Sequence, residues 1–170
     1  MVHWVGGMAL GGSPLHILFQ SSGGSVTHGV LLYNFLRTFP TDVTLYNGGS
    51  LSSIAVIAFL GAKHRRVSKH ATFMLHRTRL LNPTAALTVK ALQSHASHLA
   101  IDDQRTELIL RERLSLTDAQ WDELDRNEMW LSADEAVAVG LADSVAEFVP
   151  PPKSQLLDFN LFVTPPQRDS

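Results

Sequence analysis

Three short stretches of this chain hold residue types that could together perform acyl transfer. Asn47-Gly48-Gly49-Ser50-Leu51-Ser52-Ser53 is a small-residue turn rich in hydroxyls. Upstream lies a diglycine loop, Ser21-Ser22-Gly23-Gly24-Ser25, and downstream a histidine closes an apolar run, Phe73-Met74-Leu75-His76. A serine hydroxyl is a weak nucleophile and needs a base within hydrogen-bond reach. Diglycine lets the backbone approach a substrate closely and point N–H groups at it. Ser52 is expected to open a buried helix just after a strand, where free N–H groups favour developing negative charge. A serine there equally serves as a helix cap, and Ser50 and Ser53 compete for the same role. A lone histidine ending an apolar run is by itself most simply a core residue, so order and spacing carry the reading.

Other chemistries find less support. His95 and His98 lie one helical turn apart with Asp102 next on that face, which reads as a solvated face, and no metal is expected. There is no H-E-x-x-H, no G-x-x-x-x-G-K-[ST] and no G-x-G-x-x-G, so neither a zinc protease nor a nucleotide cradle is indicated, and no cofactor is expected. The basic run Lys63 to Lys69 reads as a solvated turn.

The elements that must position these residues alternate. Leu15 to Phe19 reads as a buried strand running into the diglycine turn. Val26 to Phe39 repeats apolar residues at helical spacing, and Pro40 ends that helix. Val43 to Tyr46 is a second strand, Ser52 to Gly61 a helix apolar nearly all round, and Arg66-Val67 and Thr72 to Leu75 are further strand pieces. Thr84 would cap a long helix to about Arg113, with Ala85, Val89, Leu92, Ala96 and Leu99 as its apolar stripe. Such a helix projects beyond one compact core. Thr117 opens a short helix to about Asn127. Ser132-Ala133-Asp134-Glu135 starts another with a capping box, and Gly140 stops it. Leu141 to Phe148 holds one last strand. Residues 1–14 read as irregular, and from Pro150 a Pro-rich tail begins. The organisation is therefore one domain over 1–149 and a tail over 150–170. Strand–helix alternation predicts an α/β fold with a mainly parallel sheet, whose sites lie at the carboxyl ends of the strands.

With 170 residues the chain can build one real core. An apolar content of 45% and a charged content of 18% place it among globular proteins rather than disordered ones. A net charge of −2 gives no reason to expect nucleic acid as partner. The longest apolar stretch, Ile54 to Leu60, is far too short to span a bilayer, so no membrane is expected. Without cysteine there is no disulfide frame. No basic region followed by an apolar stretch marks a signal peptide, and the cytoplasm is the expected location.

Taken in order, the pieces resemble the proteolytic subunit of the Clp protease, a serine peptidase family within the Clp/crotonase fold. The resemblance rests on Ser22 through Thr27 with Gly29 and Tyr33, then Asp42-Val43, Gly48 through Ser52, Gly61-Ala62-Lys63 and Met74-Leu75-His76. It ends with Trp130 through Ala136 and Gly140 through Asp143. It implies a βαβ superhelix with a projecting long handle helix, the segment from about residue 84. It also implies Ser52 as nucleophile, His76 as general base, and the N–H groups of Gly24 and Ser53 as the oxyanion hole. The third triad member would be Glu128 by count from Trp130, or Asp125 three residues earlier. The implied activity is serine-type endopeptidase action on peptides or unfolded protein, inside a homo-oligomeric heptameric ring or double ring.

Two departures bear on partners. Only about fourteen residues precede the first strand, where the family carries an axial loop, a helix and a strand that dock an AAA+ unfoldase. After His76 the chain reads Arg77-Thr78-Arg79-Leu80-Leu81-Asn82-Pro83 instead of a glycine-rich segment. These motivate a second reading, a catalytically silent subunit sharing a mixed ring with an active paralogue. A third, a crotonase-type acyl-CoA enzyme, would use two oxyanion N–H groups without a serine nucleophile.

Overall fold

The computed structural model describes residues 2–6, 14–80, 88–149, 152, 154 and 157–160, with 2–6 and 157–160 as backbone only. In chain order the elements are β1 (Val2–Gly6), β2 (Leu15–Ser21), α1 (Val26–Thr38), β3 (Val43–Asn47), β4 (Ser50–Ser52), α2 (Ile54–Phe59), β5 (His64–Val67) and β6 (Thr72–Leu75). They continue with α3 (Val89–Arg113), α4 (Asp118–Arg126), β7 (Met129–Leu131), α5 (Ala133–Ala138), β8 (Ser144–Val145) and β9 (Leu157–Asn160).

The sheet runs β7-β6-β4-β2-β3-β5-β8. The pairings of β2 with β3 and β4, of β3 with β5, of β4 with β6 and of β5 with β8 are all parallel, and β7 joins β6 antiparallel. This is the crossover-connected α/β sheet that the alternation predicts.

Helix α2 is the centre of the core, and all six of its residues are buried. Two glycines let α1 lie against it. A Cβ on Gly29 would come within 2.2 Å of Ile54 Cγ1, and one on Gly61 within 2.5 Å of the Tyr33 carbonyl oxygen. Around this pair pack Phe19, Leu45, Leu51, Phe73, Met129 and Leu141.

The structure differs from the sequence reading at several ends. The stretch read as irregular contains β1, antiparallel to β2, and the tail contains β9, which pairs with β1. Both strands are held by backbone pairing to a distant segment, which local composition does not encode. Within the stretch Leu141 to Phe148 only Ser144–Val145 is strand. The long helix starts at Val89, with the Thr88 side chain accepting from the Ala91 N–H. The expected cap Thr84 lies outside the described residues. At 25 residues α3 is about 38 Å long. Its buried residues, Asp102, Ile109 and Leu110, all fall in its second half, so the first half stands clear of the core. The capping box expected at Ser132 with Glu135 is present, and the cap expected at Thr117 is itself a full capping box, with Gln120.

Candidate active site

The strand–turn–helix β4–Ser53–α2 creates the one backbone anomaly among the described non-glycine residues. Ser53 has φ 59° and ψ −134°, the only positive φ outside glycine there. A non-glycine residue in that region is strained and persists only where its surroundings over-determine it. Here they do. The Ser53 N–H donates to the Met74 carbonyl at 2.7 Å, its carbonyl accepts from the Val56 N–H at 3.0 Å, and Gly23 closes the space behind it. A sharp turn of this kind lifts a serine hydroxyl out of the end of a sheet.

A cleft of about 290 Å³ opens at this point. It is lined by Gly24, Ser53, Ile54, His76, Arg79 and Glu128, with Val26, Ile57, Met74 and Leu110 forming its apolar wall. Of the residues singled out in the sequence, the structure thus brings together Gly24, Ser53, His76 and Glu128. Ser52 is not among the lining residues: it is the last residue of β4, paired with Met74. The family resemblance implied Ser52 as nucleophile, whereas the strained turn falls one residue later, at Ser53. The signal that could have pointed to Ser53 is its place immediately before the first residue of an all-apolar helix.

The N–H groups follow the same shift. Because the Ser53 N–H is spent on Met74, it is not a free donor, contrary to the expectation for it. Ile54 opens α2, and the first N–H groups of a helix have no intrahelical acceptor. Ile54 and Gly24 both line the cleft with Ser53.

His76 follows β6 directly, and its Nδ1 lies 2.5 Å from the Arg77 carbonyl oxygen. Neither expected carboxylate is a hydrogen-bond partner of His76 among the described residues. Asp125 pairs with the Arg77 guanidinium through Nε at 2.8 Å and again through Nη2. Glu128 pairs with Arg79 at 2.9 Å. Arg77 also reaches Glu107 at 2.7 Å, and Glu107 accepts from Arg111. Partial burial works against the charge on Arg77, but its hydrogen bonds to Asp125 and Glu107 outweigh this and raise its pKa. Glu107 is held below the ordinary carboxylate range, chiefly by Arg111 and, against some desolvation, by Arg77.

The histidines on α3 form no metal site. His98 Nε2 lies 3.9 Å from Asp102, whose buried carboxylate is instead paired with Arg105 at 2.9 Å. Among the described residues no cluster of His, Cys, Asp or Glu suits a metal ion. Nor, among them, is any helix long and apolar enough to cross a membrane.

An α/β sheet of parallel crossovers, a serine elbow and a histidine facing one cleft define a hydrolase of the serine type. Residues 11–148 match the family model described as Clp protease. The chain belongs to the Clp protease family, whose members are serine endopeptidases. It is similar to the ATP-dependent Clp protease proteolytic subunit of Streptococcus equi subsp. equi, 29% identical over 136 residues that cover 78% of this chain and 68% of that protein. It is also similar to proteolytic subunit 1 of Streptomyces avermitilis, 27% identical over 139 residues covering 79% and 62%. A ClpP1 mutant from Listeria monocytogenes has the same fold, with a TM-score of 0.68 and 20% identity over 81% of this chain and 76% of that one.

Proposed function

We propose that this serine endopeptidase cleaves peptides with Ser53 as nucleophile, His76 as general base and the N–H groups of Gly24 and Ile54 as the oxyanion hole. The observation that carries the assignment is the strained Ser53 elbow opening on the cleft that His76 and Gly24 also line. His76 Nε2 takes the Ser53 hydroxyl proton as Oγ attacks the scissile carbonyl carbon. The two N–H groups hold the oxyanion of the tetrahedral intermediate. The imidazolium returns its proton to the leaving amine, the C–N bond breaks, and an acyl-enzyme remains. Water, deprotonated by His76, then releases the acid and restores Ser53.

The working form in this reading is a cytoplasmic homo-oligomeric ring of seven subunits, single or paired, acting on peptides or unfolded protein. Exposed Leu31 and Phe35 on α1, and Val89, Leu92, Ile101 and Leu108 on α3, support burial against further copies. The ATP-dependence in the names of the curated relatives points to an AAA+ unfoldase as the feeding partner.

Fluorophosphonate labelling followed by peptide mapping tests the assignment. The adduct is expected on Ser53, lost in Ser53→Ala and His76→Ala and retained in Ser52→Ala. An adduct on Ser52 would move the nucleophile back one residue. An assembled ring without any adduct would favour a silent subunit beside an active paralogue, a reading motivated by His76 having no carboxylate partner among the described residues.

A further inference from the structure

We propose that Arg77 is the positioning residue of His76. Its main-chain carbonyl takes the hydrogen bond from imidazole Nδ1 that a carboxylate would take in a triad, and its guanidinium ties that carbonyl to α3 and α4. The inference rests on the Ser53–His76 reading.

The proton location follows from the acceptor. A carbonyl oxygen can only accept, so the ring nitrogen 2.5 Å from it carries the hydrogen. In the neutral ring the lone pair then sits on Nε2, the nitrogen a base must present to serine. In the serine-protease template the buried carboxylate does this same work, and losing the correct tautomer there costs about 10⁴-fold in kcat. Here both nearby carboxylates are engaged elsewhere, Asp125 with Arg77 and Glu128 with Arg79.

A carbonyl one residue along the chain is a useful acceptor only if its peptide cannot turn. Three contacts hold it. The guanidinium bonds Glu107 at 2.7 Å on one side and Asp125 at 2.8 Å on the other. The N–H of that same peptide, on Thr78, donates to Asp103 Oδ1 at 2.7 Å. Asp103 and Glu107 are four residues apart on α3 and so share a face. The Arg77–Thr78 peptide is thereby tied to one face of α3, by its own N–H through Asp103 and by the Arg77 side chain through Glu107. The Arg77 and Glu107 side chains are only 25% and 28% exposed, which weakens solvent screening of their pair. Any displacement of α3 therefore moves the acceptor and, through it, the imidazole.

The test reads the tautomer directly, by ¹⁵N resonances of the His76 ring in the full-length protein at a pH where the ring is neutral. The Nδ1–H form is expected in the wild type. Arg77→Gln and Glu107→Gln are expected to shift it toward Nε2–H, the form preferred by a free histidine side chain. They should slow fluorophosphonate acylation about tenfold, lowering kcat with KM unchanged, and Arg77→Lys should recover part of the loss. Should Arg77→Gln fail to fold, Glu107→Gln carries the comparison. An Nε2–H ring in the wild type overturns the proposal, as does an Nδ1–H ring that survives both variants. So does an Nδ1–H form lost in Glu128→Gln but kept in Arg77→Gln. An Nδ1–H ring in a wild type whose Ser53 is never acylated would sink the peptidase assignment and leave the role of Arg77 standing.

Discussion

Gly23 stands directly behind Ser53. A Cβ on Gly23 would lie 2.8 Å from Ser53 Cβ and 3.0 Å from the Ser52 carbonyl oxygen, and Gly23 itself has φ +99°. The diglycine loop therefore braces the elbow from behind as well as supplying Gly24 to the cleft. Gly23→Ala is expected to push Ser53 out of its conformation. Acylation should fall by tenfold or more, with about 1–3 kcal/mol of stability lost from strain at both residues. Unchanged labelling and unchanged urea midpoint would show that the two backbones can separate freely.

The α1–α2 contact should be equally intolerant of a methyl group. Gly61→Ala places a Cβ 2.5 Å from the Tyr33 carbonyl and 2.8 Å from its Cα, so backbone rather than a flexible side chain must move. About 1–3 kcal/mol of destabilisation is expected, the usual cost of overpacking. Chemical denaturation of the purified variant measures it. A loss below about 0.5 kcal/mol would mean that α1 is not seated as described.

Acid should loosen the clamp around Arg77. Glu107 has a native pKa below its ordinary 4.5. A depressed carboxylate contributes stability that is fully present above the unfolded value and is lost as pH falls through the folded one. The melting temperature of the wild type should therefore drop between pH 5 and pH 3 more steeply than that of Glu107→Gln. Parallel curves for the two proteins would exclude Glu107 as a source of the acid sensitivity.

The exposed apolar residues of α3 should matter for assembly rather than for folding. Leu92 and Ile101 are 50% and 60% exposed in the single chain. The double variant Leu92→Asp/Ile101→Asp is expected to keep its circular dichroism and melting temperature while its mass by light scattering falls toward the monomer. A wild type that is already monomeric at micromolar concentration would remove the ring from the proposed function.

The motif order in the sequence already carried the α/β class, the crossover sheet, the placement of His76 at a strand end, the cap at Thr117 and the capping box at Ser132. Each of these depends on patterns spanning a few neighbouring residues: an apolar run, a proline stop, a Ser-x-x-Glu. It could not choose among Ser50, Ser52 and Ser53, because a one-residue shift of the elbow leaves local composition unchanged. That choice was made by tertiary contacts, namely the Met74 carbonyl taking the Ser53 N–H and Gly23 filling the space behind its Cβ. The partner of His76 was hidden for the same reason. Asp125 and Glu128 sit at plausible distances along the chain, yet Arg77 and Arg79, arriving on a different segment, pair with both. Strands β1 and β9 likewise exist through pairing between chain ends more than 150 residues apart. Local propensity and spacing determined which residue types could react and which elements carry them. The register of the elbow, the carbonyl that faces the imidazole and the pairing of the ends were decided only by folding, since hydrogen bonds and ion pairs go to whichever partner is near in space.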